Sequence, residues 1–117
     1  GVFQAVQEAA VAALTGPQNC VAEMRRIYRE RRDLFVPKLR ELGWKVINPP
    51  ATFYVWAHTP AGFTSAQTAE RLLNEAHIVC TPGNGFGPSG EGYVRFALTV
   101  PTQRLQVALD RIGRMKW

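Results

Sequence analysis

The stretch Thr81-Pro82-Gly83-Asn84-Gly85-Phe86-Gly87-Pro88-Ser89-Gly90-Glu91-Gly92 constrains the fold more than any other part of the chain. It holds five glycines and two prolines, a composition that neither a helix interior nor a central strand tolerates. It opens directly into Tyr93-Val94-Arg95-Phe96-Ala97-Leu98, which has strand composition and an arginine at an alternating position. The fold therefore sets flexible backbone beside a strand-mounted guanidinium. A planar guanidinium fork is suited to gripping a carboxylate.

The flanking sequence supplies helices. Phe3, Val6, Ala10 and Ala13 or Leu14 recur at helical spacing and predict a helix from Val2 to Leu14, which Thr15-Gly16-Pro17 ends. A long helix is predicted from Gln18 to Leu42, with a stripe of Val21, Met24, Tyr28, Phe35, Leu39 and Leu42. Pro37 predicts a kink or break within it. Lys45-Val46-Ile47 reads as a short strand and Thr52 to His58 as the clearest strand, with Phe53, Val55 and Ala57 on one face and Tyr54, Trp56 and His58 on the other. Thr64 and Gln67 have capping-box spacing for a helix that buries Ala69, Leu72, Leu73 and Ala76. Ile78-Val79-Cys80 is predicted to be a strand. Pro101 suits the first turn of a last helix with a stripe of Leu105, Ala108 or Leu109, and Ile112.

Short strands unevenly interleaved with helices predict an α/β (α+β) domain of two layers. It is a small mixed or antiparallel sheet with helices on one face, preceded by two connecting helices. Val94, Phe96 and Leu98 then face the helices, and Tyr93, Arg95 and Ala97 face the open side.

With 117 residues and a net charge of +5, the chain is one domain and is globular rather than disordered. Arg25, Arg26, Arg29, Arg31 and Arg32 read as a solvated helix face interleaved with Glu23, Glu30 and Asp33. Cys20 and Cys80 are too few for a metal site or disulfide framework and read as reduced thiols of a cytoplasmic protein. No apolar run has membrane-spanning length. The chain enters a helix almost at once after Gly1, with no methionine, which reads as a piece of something longer.

Other motifs carry less. Gly85-x-Gly87-x-x-Gly90 matches the dinucleotide fingerprint, but a strand follows it where a helix N-terminus is needed. Tyr93 to Leu98 resembles an RNA-recognition strand, yet Tyr93 and Phe96 fall on opposite faces and cannot share a stacking platform. His58 and His77 have no triad partners. Trp44 and Trp56 read as core or interface anchors.

From Val2 to Ile112 the chain resembles the C-terminal part of class I/II aminotransferases, the fold type I enzymes that use pyridoxal phosphate. The bacterial LL-diaminopimelate and aspartate-aminotransferase-like groups are nearest in pattern. The resemblance rests on Phe3-Gln4-Ala5-Val6-Gln7, Pro50-Ala51-Thr52-Phe53-Tyr54-Val55-Trp56, Pro82-Gly83 through Phe86-Gly87, and above all Gly90-Glu91-Gly92-Tyr93-Val94-Arg95-Phe96-Ala97-Leu98.

The resemblance implies that Arg95 binds the substrate α-carboxylate, that the loop from Pro82 to Gly87 lies near it, and that the full-length enzyme is a homodimer. It also implies that the cofactor-holding lysine lies upstream. Lys38, Lys45 and Lys116, the only lysines here, lack the serine-rich context of such a residue. The expected organisation is a single C-terminal fragment over residues 1–117, with 1–16 a connecting helix and 17–117 the small domain. Alone it is expected to be inactive. As part of the enzyme it serves transfer of an amino group between an amino acid and a 2-oxo acid. The rival reading is a free-standing basic module that binds RNA or an acidic partner through the open sheet face.

Overall fold

The computed structural model describes residues 1–117 in full. Helices α1 (Gln4–Thr15) and α2 (Asn19–Glu41) come first. Strand β1 (Tyr54–His58), helix α3 (Ser65–Ala76), strand β2 (Thr81–Pro82), strand β3 (Tyr93–Ala97) and helix α4 (Thr102–Arg114) follow. Two short 3₁₀ turns, Gly83–Phe86 and Pro88–Gly90, form the glycine-rich loop between β2 and β3.

The three strands form one antiparallel sheet in the order β1-β3-β2. In β1–β3 the register sets Val55 opposite Phe96 and Trp56 opposite Arg95. Across the other edge Thr81 lies opposite Arg95. Pro82 takes an edge position, where its missing N–H costs no ladder bond to a further strand. The expected alternation holds on both long strands. Val55, Ala57, Val94, Phe96 and Leu98 are buried with Phe35 and Leu39 of α2, Leu72 of α3, and Leu105, Leu109 and Ile112 of α4. Phe96 stacks at 5.4 Å from Phe35 and 6.1 Å from Trp44. The two-layer architecture predicted from the sequence is the one observed.

Local chemistry explains the helix ends. The Thr64 side chain accepts the Gln67 amide while the Gln67 side chain accepts the Thr64 amide, so the capping box forms in full. His77, at φ 54°, turns the chain out of α3 in the left-handed conformation that glycine more often supplies.

Several expectations are corrected. Lys45 to Ile47 makes only a single bridge, Val46 to Ala57, because Asn48-Pro49-Pro50 ends the ladder before it extends. Ile78 to Cys80 is not a strand. Its first amide still donates to Leu72 of α3, at 2.9 Å, and Val79 is 84% exposed, so pairing begins only at Thr81. The α3 stripe is Ser65, Thr68, Leu72 and Ala76, with Leu73 exposed and Ala69 half-buried. Helix α2 continues unbroken through Pro37. The carbonyl that Pro37 leaves without a donor belongs to Asp33, an exposed residue. Helix α4 starts at Thr102, with Pro101 as its N-cap.

Helix α1 forms as expected and carries its apolar stripe, but none of its residues is buried. Phe3 is 85% and Leu14 81% exposed. Val21 and Met24, at the start of α2, are exposed as well. Apolar surface of this extent drives association. The 117-residue chain produced alone is expected to self-associate, and a Phe3→Ser, Leu14→Ser double variant to shift it toward monomer. Sedimentation velocity over a concentration series checks this; a wild-type chain that stays monomeric at high concentration defeats it.

Candidate functional site: a guanidinium between aromatic rings

Arg95 sits in the central strand, on the face away from the helices, as its alternation with Val94 and Phe96 requires. Its Cζ lies 3.9 Å from the centroid of the Tyr54 ring and 4.4 Å from that of Phe86. Tyr54 comes from the neighbouring strand and Phe86 from the glycine-rich loop. Trp56 extends the aromatic surface, edge-on to Phe86 at 5.3 Å and to Tyr93 at 6.1 Å. Aromatic faces attract the cation and hold its plane, because their quadrupoles favour positive charge above the ring.

They do not satisfy its hydrogen bonds. Arg95 Nε is buried with no partner, and none of the ion pairs in the chain includes Arg95. A buried donor left unpaired is costly, and a guanidinium demands acceptors more strongly than a neutral donor does. The site thus has a fixed cation whose natural complement, a planar anion, is not supplied by this chain.

The loop that carries Phe86 is tied down at both ends. Glu91 accepts the Ser65 amide at 2.8 Å and the Gly92 amide at 2.9 Å through one carboxylate oxygen. The other oxygen accepts the Ser65 hydroxyl at 2.8 Å. Ser65 is fully buried at the first turn of α3, and its Oγ also accepts the Asn84 amide at 3.3 Å. The Ser65 amide, then its hydroxyl, then the Gly92 amide hold the Glu91 carboxyl below the usual carboxylate range. A carboxyl whose value is lower in the folded than in the unfolded state stabilises the fold above its ordinary value. That contribution is complete at neutral pH and is lost as pH falls through the lowered folded value. Nearby, Thr52 is held at φ 69°, a strained conformation for a β-branched residue, just before Phe53 and Tyr54.

The remaining candidates fall elsewhere. Phe96 lies in the core, so it and Tyr93 offer no common stacking face. His58 packs against Tyr93 at 4.4 Å, and His77 caps α3. Trp44 is a core residue, as expected, whereas Trp56 is half-buried on the open face. In the arginine cluster, Arg26 bridges Glu23 and Glu30, and Arg32 pairs with Asp33. Arg31 instead reaches across to the Leu98 carbonyl at 2.9 Å. Both cysteines are free; burial pushes the Cys80 thiol up to about 12. No three His, Cys, Asp or Glu residues come together as metal ligands, and no helix is long and apolar enough to cross a membrane. All three lysines are exposed, and Lys38 is engaged with Glu41.

Phe86, Glu91 and Ser65 were not singled out from the sequence. The nearest signal was the Gly-Glu-Gly run before β3.

Residues 2–112 match the family model described as aminotransferase class I and II. The LL-diaminopimelate aminotransferase of Moorella thermoacetica is 55% identical over 115 residues, covering 98% of this chain and 30% of that protein. Substrate-bound BacF from Bacillus subtilis superposes with a TM-score of 0.90 at 41% identity, covering all of this chain and 30% of BacF. The aromatic aminotransferase from Pyrococcus horikoshii gives a TM-score of 0.88 at 36% identity, over 93% of this chain and 30% of that one. The chain belongs to the class I and II aminotransferase family. It spans about 30% of the length of the relatives it matches.

The loop geometry yields a test independent of function. A Cβ on Gly83 would overlap the Gly90 carbonyl oxygen, and a Cβ on Gly90 the Gly83 carbonyl, whereas one on Gly85 meets nothing within 4 Å. Gly83→Ala is expected to cost about 1–3 kcal/mol, since the backbone must move. Gly85→Ala should stay within about 0.5 kcal/mol. Denaturant unfolding of the three proteins side by side measures both; equal midpoints would contradict the close approach.

Proposed function

We propose that this chain is the C-terminal portion of a pyridoxal-phosphate-dependent aminotransferase, and that Arg95 binds the α-carboxylate of its amino-acid and 2-oxo-acid substrates. The observation that carries the reading is the unpartnered guanidinium held between Tyr54 and Phe86. A carboxylate is planar, anionic and rich in acceptors, and so completes such a site. Gripping it through two parallel hydrogen bonds fixes rotation as well as position, so the bond to be broken at the α-carbon is aimed before reaction. LL-diaminopimelate, after the name of the Moorella relative, is the amino acid to try first.

The cofactor supplies the electron sink for chemistry at that carbon. On this reading the cofactor is held elsewhere in the full-length enzyme, because the groups that surround Arg95 in this chain are the rings of Tyr54 and Phe86. The reading therefore assigns this chain carboxylate binding alone. It assigns the covalent attachment to a lysine upstream and holds the isolated chain inactive. Residues 1–16 are read as the connecting helix and 17–117 as the small domain, in keeping with an α1 that packs on nothing here. The complete enzyme is read as a cytoplasmic homodimer.

Arg95→Lys in the full-length enzyme keeps the charge and loses the fork. A charge-assisted hydrogen bond is worth about 1.5–3 kcal/mol, so kcat/KM for LL-diaminopimelate should fall roughly ten- to a hundredfold, and further for Arg95→Ala. Pentane-1,5-diamine, the same skeleton without carboxylates, should be affected little by either change. Steady-state kinetics with both amines provides the check. Wild-type efficiency in Arg95→Lys would refute the carboxylate role.

A further inference from the structure

Arg95 does not choose its own orientation. Its side chain has no hydrogen-bond partner in the chain at Nε, so its plane is set by the two rings it lies between. Tyr54 belongs to the paired strand β1 and is fixed by the sheet register. Phe86 is half exposed and lies on a loop of two 3₁₀ turns, where no ladder fixes it. Trp56 of β1 meets the ring edge-on at 5.3 Å, and the loop backbone that carries the ring needs an anchor of its own.

The fixed points of the loop are few. Beyond the Gly83–Gly90 backbone contact and the Thr59 amide, which donates to the Gly92 carbonyl at 2.9 Å, its polar anchors converge on Ser65. Asn84, two residues before Phe86, donates its amide to Ser65 Oγ. Glu91, after the second turn, accepts both the amide and the hydroxyl of Ser65. The same carboxylate accepts the Gly92 amide, at the entrance to the strand that bears Arg95. One carboxylate thus joins α3, the far limb of the loop and the start of β3. Ser65 is fully buried, so the clasp is anchored in the body of the domain and not in solvent. Glu91 carries three charge-assisted hydrogen bonds, the strong kind, and has no cationic partner.

We infer that Glu91, acting through Ser65, is a positioning residue for carboxylate recognition: it locks the glycine-rich loop so that Phe86 holds the Arg95 guanidinium in its binding orientation. The inference rests on the carboxylate-binding reading of Arg95 and adds the device that aims it. Glu91 itself does not touch the substrate. Losing it leaves the cation in place but frees its plane, so carboxylate affinity falls and the aim at the α-carbon loosens with it.

The test uses the full-length enzyme with LL-diaminopimelate and pentane-1,5-diamine. Glu91→Ala should lower kcat/KM for LL-diaminopimelate about tenfold, the scale of a modest misplacement. Glu91→Gln keeps an acceptor for the two amides and should recover most of that loss. Ser65→Ala, which removes the hydroxyl bridge to Asn84 and Glu91 from the other side, should lower kcat/KM as well. Pentane-1,5-diamine should be insensitive to all three. In an Arg95→Ala background, Glu91→Ala should add little, because there is no longer a guanidinium to aim. Circular dichroism and thermal midpoints establish that each variant is folded; should Glu91→Ala not fold, Glu91→Gln and Ser65→Ala carry the same comparison. The inference is overturned if the variants lower efficiency equally for both amines, or if the loss persists in full without Arg95. Either result would leave the Arg95 reading intact, whereas an unimpaired Arg95→Lys enzyme would overturn both.

Discussion

Strand β3 is hydrogen-bonded on both sides, to β1 along its whole length and to β2 at Val94 and Arg95, and this double pairing fixes which way every residue in it points. Val94 and Phe96 go into the helix-packed core, so Arg95 must emerge on the opposite face. A slip of one residue would bury the guanidinium among Phe35, Leu39 and Leu105 and expose Phe96. The cost of burying an unpaired cation there rules out that register more firmly than hydrogen bonding alone. The apolar core and the candidate site are two sides of one alignment.

The open face follows a different logic from the core. A protein that needed Arg95 only for stability would pair it with one of its own carboxylates, as Arg71 is paired with Glu75. Here the neighbouring groups are rings, and the acid closest in sequence, Glu91, is spent on amides and a hydroxyl. The rings shield the cation and restrain it without neutralising it. On the proposed reading, this leaves the charge available to a carboxylate.

Much of this was legible in the sequence where a local rule and the tertiary environment agree. The period-two alternation of Tyr54 to His58 and of Tyr93 to Leu98 gave the faces correctly, because each strand has one dry side. Thr64 and Gln67 predicted a capping box that forms in full. The misses share a cause. Val79 has strand character, but the chain is still leaving α3 when it passes that position, and propensity does not register where a turn ends. Leu73 fits the helical stripe of α3, yet Ser65 and Thr68 lie on the side that is buried, Ser65 as the anchor of the glycine-rich loop and Thr68 with its hydroxyl donated back to the Thr64 carbonyl. The place of Arg95 on the open face was readable from its strand position. Phe86, Ser65 and Glu91 were not, since contacts between a loop, a helix start and a strand start leave no spacing in the sequence.

The first turns of the molecule have a mechanical consequence. Residues 1–26 contain no buried residue, and firm contacts begin only near Tyr28, which meets Phe53, and Arg31, which reaches Leu98. The chain measures 52 Å along its longest axis against 31 Å and 24 Å across the others. Such a shape is a lever with its fulcrum beside the strand end that leads into Tyr54. A rotation of about 5° at that fulcrum carries the tip of a ~25 Å helical arm through about 2 Å. Whatever grasps α1 therefore holds the end of a long arm, where ångström-scale movement corresponds to only a few degrees of rotation at the sheet.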